Sequence, residues 1–237
     1  MEYGANLVII PDGNRRWARS RGLPDWEGHR QGYETFKKIL RYIDETGEVK
    51  FFTFWALSRD NLTKRPLEER KFFMWLLVAA IDELEEELSR SKRGIRLKVV
   101  GEWRHKLPWR VSGRLEELEK QTVQNTGLVF TLLLVYDGKW DIKTSMSRIQ
   151  LAYPHLTEVT DELIHQHLPS RHIPMIDLCI RTGEEAGGMS HNSGGMLMWQ
   201  MANAKIYCGG MFWPDFSIDD LTAATRRAGF LERRFGA

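Results

Sequence analysis

The chain has 237 residues, of which 42% are apolar, with 34 Lys and Arg against 32 Asp and Glu and a net charge of +2. That length suits one domain, 1–237, large enough to bury a real core. The near-neutral balance argues against a surface built to coat nucleic acid or membrane, so any anion must be bound locally.

Cys179 and Cys208 lie in apolar contexts without CxxC or Cys/His metal spacing and are expected as reduced core residues of a cytoplasmic protein. No signal-peptide pattern opens the sequence and no apolar run reaches about 18 residues, so neither secretion nor a membrane span is expected. Membrane contact is expected to be peripheral at most.

In chain order, residues 7–10 form a short apolar run stopped by Pro-Asp-Gly, and 32–46 carry Tyr33, Phe36, Ile39, Leu40 and Ile43 at helical spacing. This predicts a strand, a loop and a helix. Residues 49–57 are aromatic and β-branched, a second strand, and 67–88 form a long helical pattern with a water-facing acidic end. Strands are predicted over 95–100 and 128–136, with a helix over 109–124 between them carrying charged i,i+4 pairs. Helices over 142–151 and 160–168, a strand over 175–180, a helix over 198–207 and a brief strand over 209–213 complete the chain.

Six strands alternating with helices, several apolar on both faces, point to an α/β domain with a mostly parallel six-stranded sheet. Ligands of such sheets bind beyond the carboxyl ends of the strands, where Asp12, Ser58, Asp137 and Arg181 fall.

The Asp12-Gly13-Asn14 turn offers backbone N–H groups to an anion. Arg15, Arg16, Arg19 and Arg21 add fork-shaped donors suited to diphosphate oxygens. Asp12 cannot itself bind phosphate, but it can hold a hard cation such as Mg²⁺ that bridges to one. The same pattern also fits an Asp-Gly turn followed by a solvated basic helix face.

Five blocks carry a resemblance. They are 9–32 with IIPDGNRRW and WEGHRQG; FWALS with Asn61 and Arg65-Pro66; YDGKWDI at 136–142; DLCIRTGE at 177–184; and Trp199-Gln200 with WPDF and the terminal ERRFG. In this order they resemble the cis-prenyltransferases, the undecaprenyl diphosphate synthase-like family, over nearly the whole chain.

The resemblance implies a three-layer α/β fold, its central sheet flanked by helices, in a homodimer whose tunnel mouth holds two prenyl diphosphates, with Mg²⁺ as cofactor. An allylic diphosphate ionises and the double bond of isopentenyl diphosphate attacks the cation. Carried over by residue, Asp12 is the metal-binding and catalytic aspartate, with Asn14, His29, Ser58 and Asn61 as further catalytic residues. Gly13, Arg15, Arg16 and Trp17 belong to the donor cradle. Arg65 holds phosphate, although an extra residue before it lets Lys64 take that place. Arg181 grips the second diphosphate, and Arg234 and Gly236 reach across the dimer. His29 also fits a buried, loop-orienting role, and Arg234 a solvated one.

The sequence departs from the family around the second substrate. No arginine occurs between Arg181 and Arg226, where relatives carry one that binds isopentenyl diphosphate, and the 184–198 segment is longer and glycine-rich. Ser190, His191, Asn192 and Ser193 offer neutral donors instead. Lys205 replaces a glutamate that helps hold metal, Asp25 stands at a frequent phosphate-binding arginine, and Val135 replaces an asparagine. Lys205 either contacts a diphosphate directly or turns to solvent. Phe72, Phe73, Met74 and Trp75 are bulky enough to shorten the tunnel if they face it.

Three readings follow. The first is a short-chain synthase extending dimethylallyl or geranyl diphosphate with a second five-carbon prenyl diphosphate. The second is head-to-middle coupling with dimethylallyl diphosphate as nucleophile, giving a lavandulyl-type product. The third is a non-catalytic partner subunit, against which the intact Asp12-to-Arg16 cradle argues. Nucleic acid is not expected as a partner.

Overall fold

The structure is a computed structural model and describes residues 5–64, 67–183 and 195–229. Arg65, Ser190, Arg234 and Gly236 lie outside the described residues.

β1 (Ala5–Ile10), β2 (Val49–Ser58), β3 (Arg96–Val100), β4 (Val129–Tyr136), β5 (Leu178–Arg181) and β6 (Lys205–Cys208) form one sheet in the order β3-β4-β2-β1-β5-β6. Every adjacent pair is parallel. All six residues of β1 are buried because both faces of the sheet are covered. Leu7 and Ile9 join one apolar cluster, and Val8 and Ile10 join a second on the opposite face.

The first face is covered by α2 (Asp25–Thr46), α4 (Leu67–Arg90), α6 (Trp109–Gln121) and α9 (Ile218–Arg227). In α2, Phe36, Ile39, Leu40 and Ile43 recur at helical spacing, and all are buried. Gly47, at φ 63°, ends that helix in the left-handed conformation. The second face carries α7 (Gly138–Ala152), whose start is capped by Asp137 accepting from the Trp140 N–H at 3.0 Å, with α8 (Asp161–His167) packed on α7. Short helices α1 (Asn14–Arg19), α3 (Arg59–Lys64) and α5 (Trp103–Lys106) sit at loop positions near the strand ends.

The sheet has the expected six strands, but the last one differs from the sequence reading. Residues 198–203 form turns where a helix is predicted, and the strand is Lys205–Cys208, earlier than 209–213. Pro214 cannot donate to a ladder and instead opens a 3-10 turn over Trp213–Asp215. Ile206 and Tyr207 supply the β-branched and aromatic character that pairs with Cys179 and Ile180.

Helix α2 begins seven residues before its apolar periodicity, and two glycines let it do so. A Cβ on Gly28 would stand 1.9 Å from the backbone oxygen of Asn14, and one on Gly32 would stand 2.2 Å from Asn14 Oδ1. The glycines therefore let α2 press against the start of α1. Gly28→Ala should lower stability by about 2 kcal/mol, because overpacking against a fixed carbonyl outweighs alanine's better helix propensity. Urea unfolding of the variant checks this, and a more stable variant would show that α1 and α2 are not in tight contact.

Candidate active site

The carboxyl ends of β1 and β5 are adjacent, so the turns that follow them meet. The Asp12 N–H donates to Thr182 Oγ1 at 3.0 Å, and the Thr182 hydroxyl donates to the Asp12 carbonyl at 2.9 Å. The Trp213 N–H reaches the same carbonyl at 3.0 Å. Gly183, at φ 77°, packs where a Cβ would lie 2.7 Å from Asp12 backbone atoms. The Asp12 backbone is thus fixed from two sides.

Its carboxylate is fixed as well. Oδ1 accepts from the Gly13 N–H at 2.6 Å and stands 3.3 Å from the Arg16 guanidinium, while Oδ2 takes Arg181 at 3.1 Å. The Asp12 side chain is 40% exposed and that of Arg181 only 8%. Arg181 therefore sits behind the carboxylate, and Arg16 flanks it at the surface. Asn14 donates from Nδ2 to the Pro11 carbonyl at 3.1 Å, and its Oδ1 is buried without a donor among the described residues.

A cavity of about 900 Å³ opens at these strand ends. One part of its wall is polar: Asp12, Gly13, Asn14, Arg15, Arg16, Arg19 and His29 stand there, with Ser58, Asp60, Asn61, Tyr136 and Asp137. The rest is apolar and runs between α2 and α4, with Tyr33, Phe36, Phe54, Leu76, Leu77, Ala80 and Trp213. The Tyr33 hydroxyl donates to the Ala80 carbonyl at 2.8 Å and ties the two helices together. Ser58 Oγ accepts the Asn61 N–H at 3.0 Å, which sets the β2–α3 turn.

The structure thus brings Asp12, Gly13, Asn14, Arg15, Arg16, His29, Ser58 and Asn61 to one wall. Trp17 is placed differently from the expected donor cradle. Its indole N–H donates to Asp215 at 2.7 Å, with Arg21 bound to the same carboxylate and stacked 4.4 Å over the indole. Lys205 also lies off the wall, since its segment is an edge strand rather than a helix, and its Nζ donates to the Ala228 carbonyl. Arg181 reaches the site through Asp12. On α4 the lining residues are Leu76, Leu77 and Ala80, whereas Phe72 packs on Trp26 and Trp75 is 65% exposed. The Phe73 side chain is outside the described residues.

Sequence reasoning missed Tyr33, Phe36 and Phe54 as wall residues and Thr182 as the clasp on Asp12. The first two follow His29 on α2 at four-residue and seven-residue intervals, so the α2 face was legible once its start was known.

Behind Tyr136 runs a buried polar chain. The Tyr136 hydroxyl donates to Asp141 Oδ2 at 2.9 Å, Ser170 Oγ donates to the same oxygen at 2.5 Å, and Gln200 Nε2 donates to Ser170 Oγ at 2.8 Å. Burial pushes the Tyr136 phenol well above its ordinary range, and it also raises the Asp141 carboxyl, against hydrogen bonds that lower it.

A family model described as "Putative undecaprenyl diphosphate synthase" matches residues 10–236. The chain is 36% identical over 232 residues to an isoprenyl transferase of Chromobacterium violaceum, covering 98% of this chain and 87% of the relative. It is 32% identical over 235 residues to a ditrans,polycis-undecaprenyl-diphosphate synthase, specific for (2E,6E)-farnesyl diphosphate, of Pseudomonas syringae pv. tomato, covering 98% and 90%. Among solved structures it is similar to the lavandulyl diphosphate synthase of Lavandula x intermedia in complex with dimethylallyl diphosphate. That match has a TM-score of 0.85 and 27% identity and covers 94% of each chain. The chain belongs to the undecaprenyl diphosphate synthase family and is an enzyme of the cis-prenyltransferase type.

Among the described residues no three carboxylate, imidazole or thiolate groups converge on a metal position. The half-exposed Asp12 carboxylate at the cavity wall fits a Mg²⁺ ion that takes its remaining ligands from diphosphate oxygens and water. No helix among the described residues is long and apolar enough to cross a membrane.

The raised Asp141 gives a stability prediction. The folded state holds this proton more tightly than the unfolded chain does. The contribution is therefore fully present below the ordinary value of 3.8 and is lost as pH rises through the folded value. Asp141→Asn should flatten stability against pH above 3.8. Urea midpoints measured across that range check it, and an unchanged slope would mean that Asp141 does not cause the dependence.

Proposed function

We propose that the protein couples two short prenyl diphosphates head to middle, with dimethylallyl diphosphate as both donor and nucleophile, giving a branched, lavandulyl-type diphosphate. The observation that carries this reading is an assembled donor side beside an altered acceptor side. Asp12, Asn14, Arg15 and Arg16 line the cavity, while the sequence lacks any arginine between Arg181 and Arg226. The likeness to an enzyme named for that product, with dimethylallyl diphosphate bound, supports it.

The cavity suits an amphiphile with an anionic head and a hydrocarbon tail. Arg15 and Arg16 are placed to take the charge that develops as the donor's C–O bond breaks and the diphosphate leaves with the electron pair. Phe36, Phe54 and Trp213 form an aromatic wall, with ring centroids 4.7 Å and 5.4 Å apart, that keeps water from the allylic cation and offers it π-faces. The second substrate's double bond attacks that cation, and a proton loss completes the coupling. A Mg²⁺ ion held by Asp12 would neutralise charge on the leaving diphosphate. Arg65, Ser190, Arg234 and Gly236 remain in their proposed roles as phosphate and substrate ligands.

A second reading is regular addition of isopentenyl diphosphate to a short donor, which the higher identity to isoprenyl transferases favours. A homodimer is the proposed active unit in either case. The edge strand β6 leaves Ile206 56% exposed, a face that a second copy would cover.

Incubation with Mg²⁺ and dimethylallyl diphosphate alone, followed by phosphatase treatment and mass spectrometry, should yield a ten-carbon branched alcohol. Product only when isopentenyl diphosphate is added would support the second reading instead. Asp12→Asn should lower turnover by at least about 100-fold while leaving the circular dichroism spectrum intact. Near-normal turnover in that variant would remove Asp12 from the reaction.

A further inference from the structure

Asp25 opens α2 and contacts two arginines of the polar wall. Its carboxylate accepts two hydrogen bonds from one guanidinium, Arg19 Nε at 2.8 Å and Arg19 Nη2 at 2.7 Å. Arg15 Nε stands 3.7 Å from the same carboxylate. His29, one turn further along α2, is close enough to act on its charge. Arg15, Arg19 and His29 all line the cavity, and Asp25 does not. One acid thus sits at the back of three residues that face the proposed diphosphate.

We propose that Asp25 is a positioning residue of the donor diphosphate site. It holds the Arg15 and Arg19 guanidiniums at the cavity wall, so that α1 supplies the cationic ligands of that site. The inference rests on the functional reading above only in that the cradle must bind diphosphate; it is independent of which nucleophile attacks.

Geometry favours orientation over simple charge neutralisation. A bidentate carboxylate fixes the plane of a guanidinium, and the Arg19 fixed in this way lines the cavity, as does Arg15. Arg19 is 61% exposed, so this pair adds little to stability. Its effect lies in where two long, rotamer-rich side chains point before the ligand arrives. Arg19's hydrogen bonds hold the Asp25 carboxyl below the usual aspartate range, so the clasp stays charged at neutral pH.

The two roles predict opposite signs. If Asp25 orients the arginines, Asp25→Asn should weaken binding of inorganic diphosphate, measured by calorimetry on the full chain, by roughly tenfold, the loss of one charge-assisted interaction. The KM for the allylic diphosphate should rise in step, with a smaller change in kcat, and Asp25→Glu should recover part of the loss. Asp25→Arg should bind more weakly still, because it faces Arg15 and Arg19. Tighter binding by Asp25→Asn would mean that Asp25 only opposes the cradle's charge, and an unchanged Kd would make the pair an idle surface contact. Either result overturns the proposal, as would recovery of full affinity by Asp25→Arg. Absence of diphosphate binding in the unaltered protein would instead defeat the functional reading, and this proposal with it.

Discussion

The site depends on one junction, the clasp between the turns that leave β1 and β5. Because these neighbouring strands are parallel, their carboxyl ends lie side by side. Thr182 can then exchange two hydrogen bonds with the Asp12 backbone while Arg181, one residue earlier, meets the Asp12 carboxylate. A sheet with an antiparallel partner at this position would send one of those turns to the opposite edge. The Asp12 carboxylate is therefore placed by topology first and by side-chain contacts second.

From that fixed point the polar and apolar halves of the cavity follow from different elements. The turn after Asp12 feeds α1, whose arginines stand at the rim. The crossing of α1 by Gly28 and Gly32 of α2 sets how far those arginines lie from the aspartate. The same α2 then contributes Tyr33 and Phe36 to the apolar wall. Farther along, Lys37 pairs with Glu83 and Arg41 with Glu87, and these contacts hold α2 against α4. One helix thus connects the diphosphate end to the hydrocarbon end. A change in its packing is felt at both.

The sheet was legible because strands buried on both faces carry nearly continuous apolar runs, such as Leu7 to Ile10 of β1 and Leu132 to Tyr136 of β4. The site's acid and arginines were legible because they follow such a run directly. The chain between 196 and 213 was harder to read. Its methionines, alanine and tyrosine mimic helical spacing, yet pairing with β5 decides the conformation of Lys205–Cys208. Periodicity could not show that competition. Which residues of α4 line the cavity was left open for a related reason: the face of a uniformly apolar stretch that turns inward is set by its neighbours, and here it is Leu76, Leu77 and Ala80.

Val135 links the family departures to the backbone. It sits at the end of β4 with φ 51°, a left-handed conformation that is rare for a β-branched residue. There the β2–β4 register slips, Leu57 facing Leu134 and Ser58 facing Tyr136, so that Val135 is the extra residue of a bulge. Asparagine, which the resembling family carries at this position, tolerates that conformation far better than valine does. The bulge turns Tyr136 toward Asp141 and the cavity, beside Ser58. Backbone strain kept at a substrate wall while the residue that would relieve it is absent is the pattern of a position held by its surroundings. In this chain the surroundings are the buried Tyr136–Asp141–Ser170–Gln200 chain on one side and the packed core around Val135 on the other. The Tyr136 side of the cavity thus owes its shape to a polar chain behind the sheet, much as the opposite side owes its shape to the clasp on Asp12.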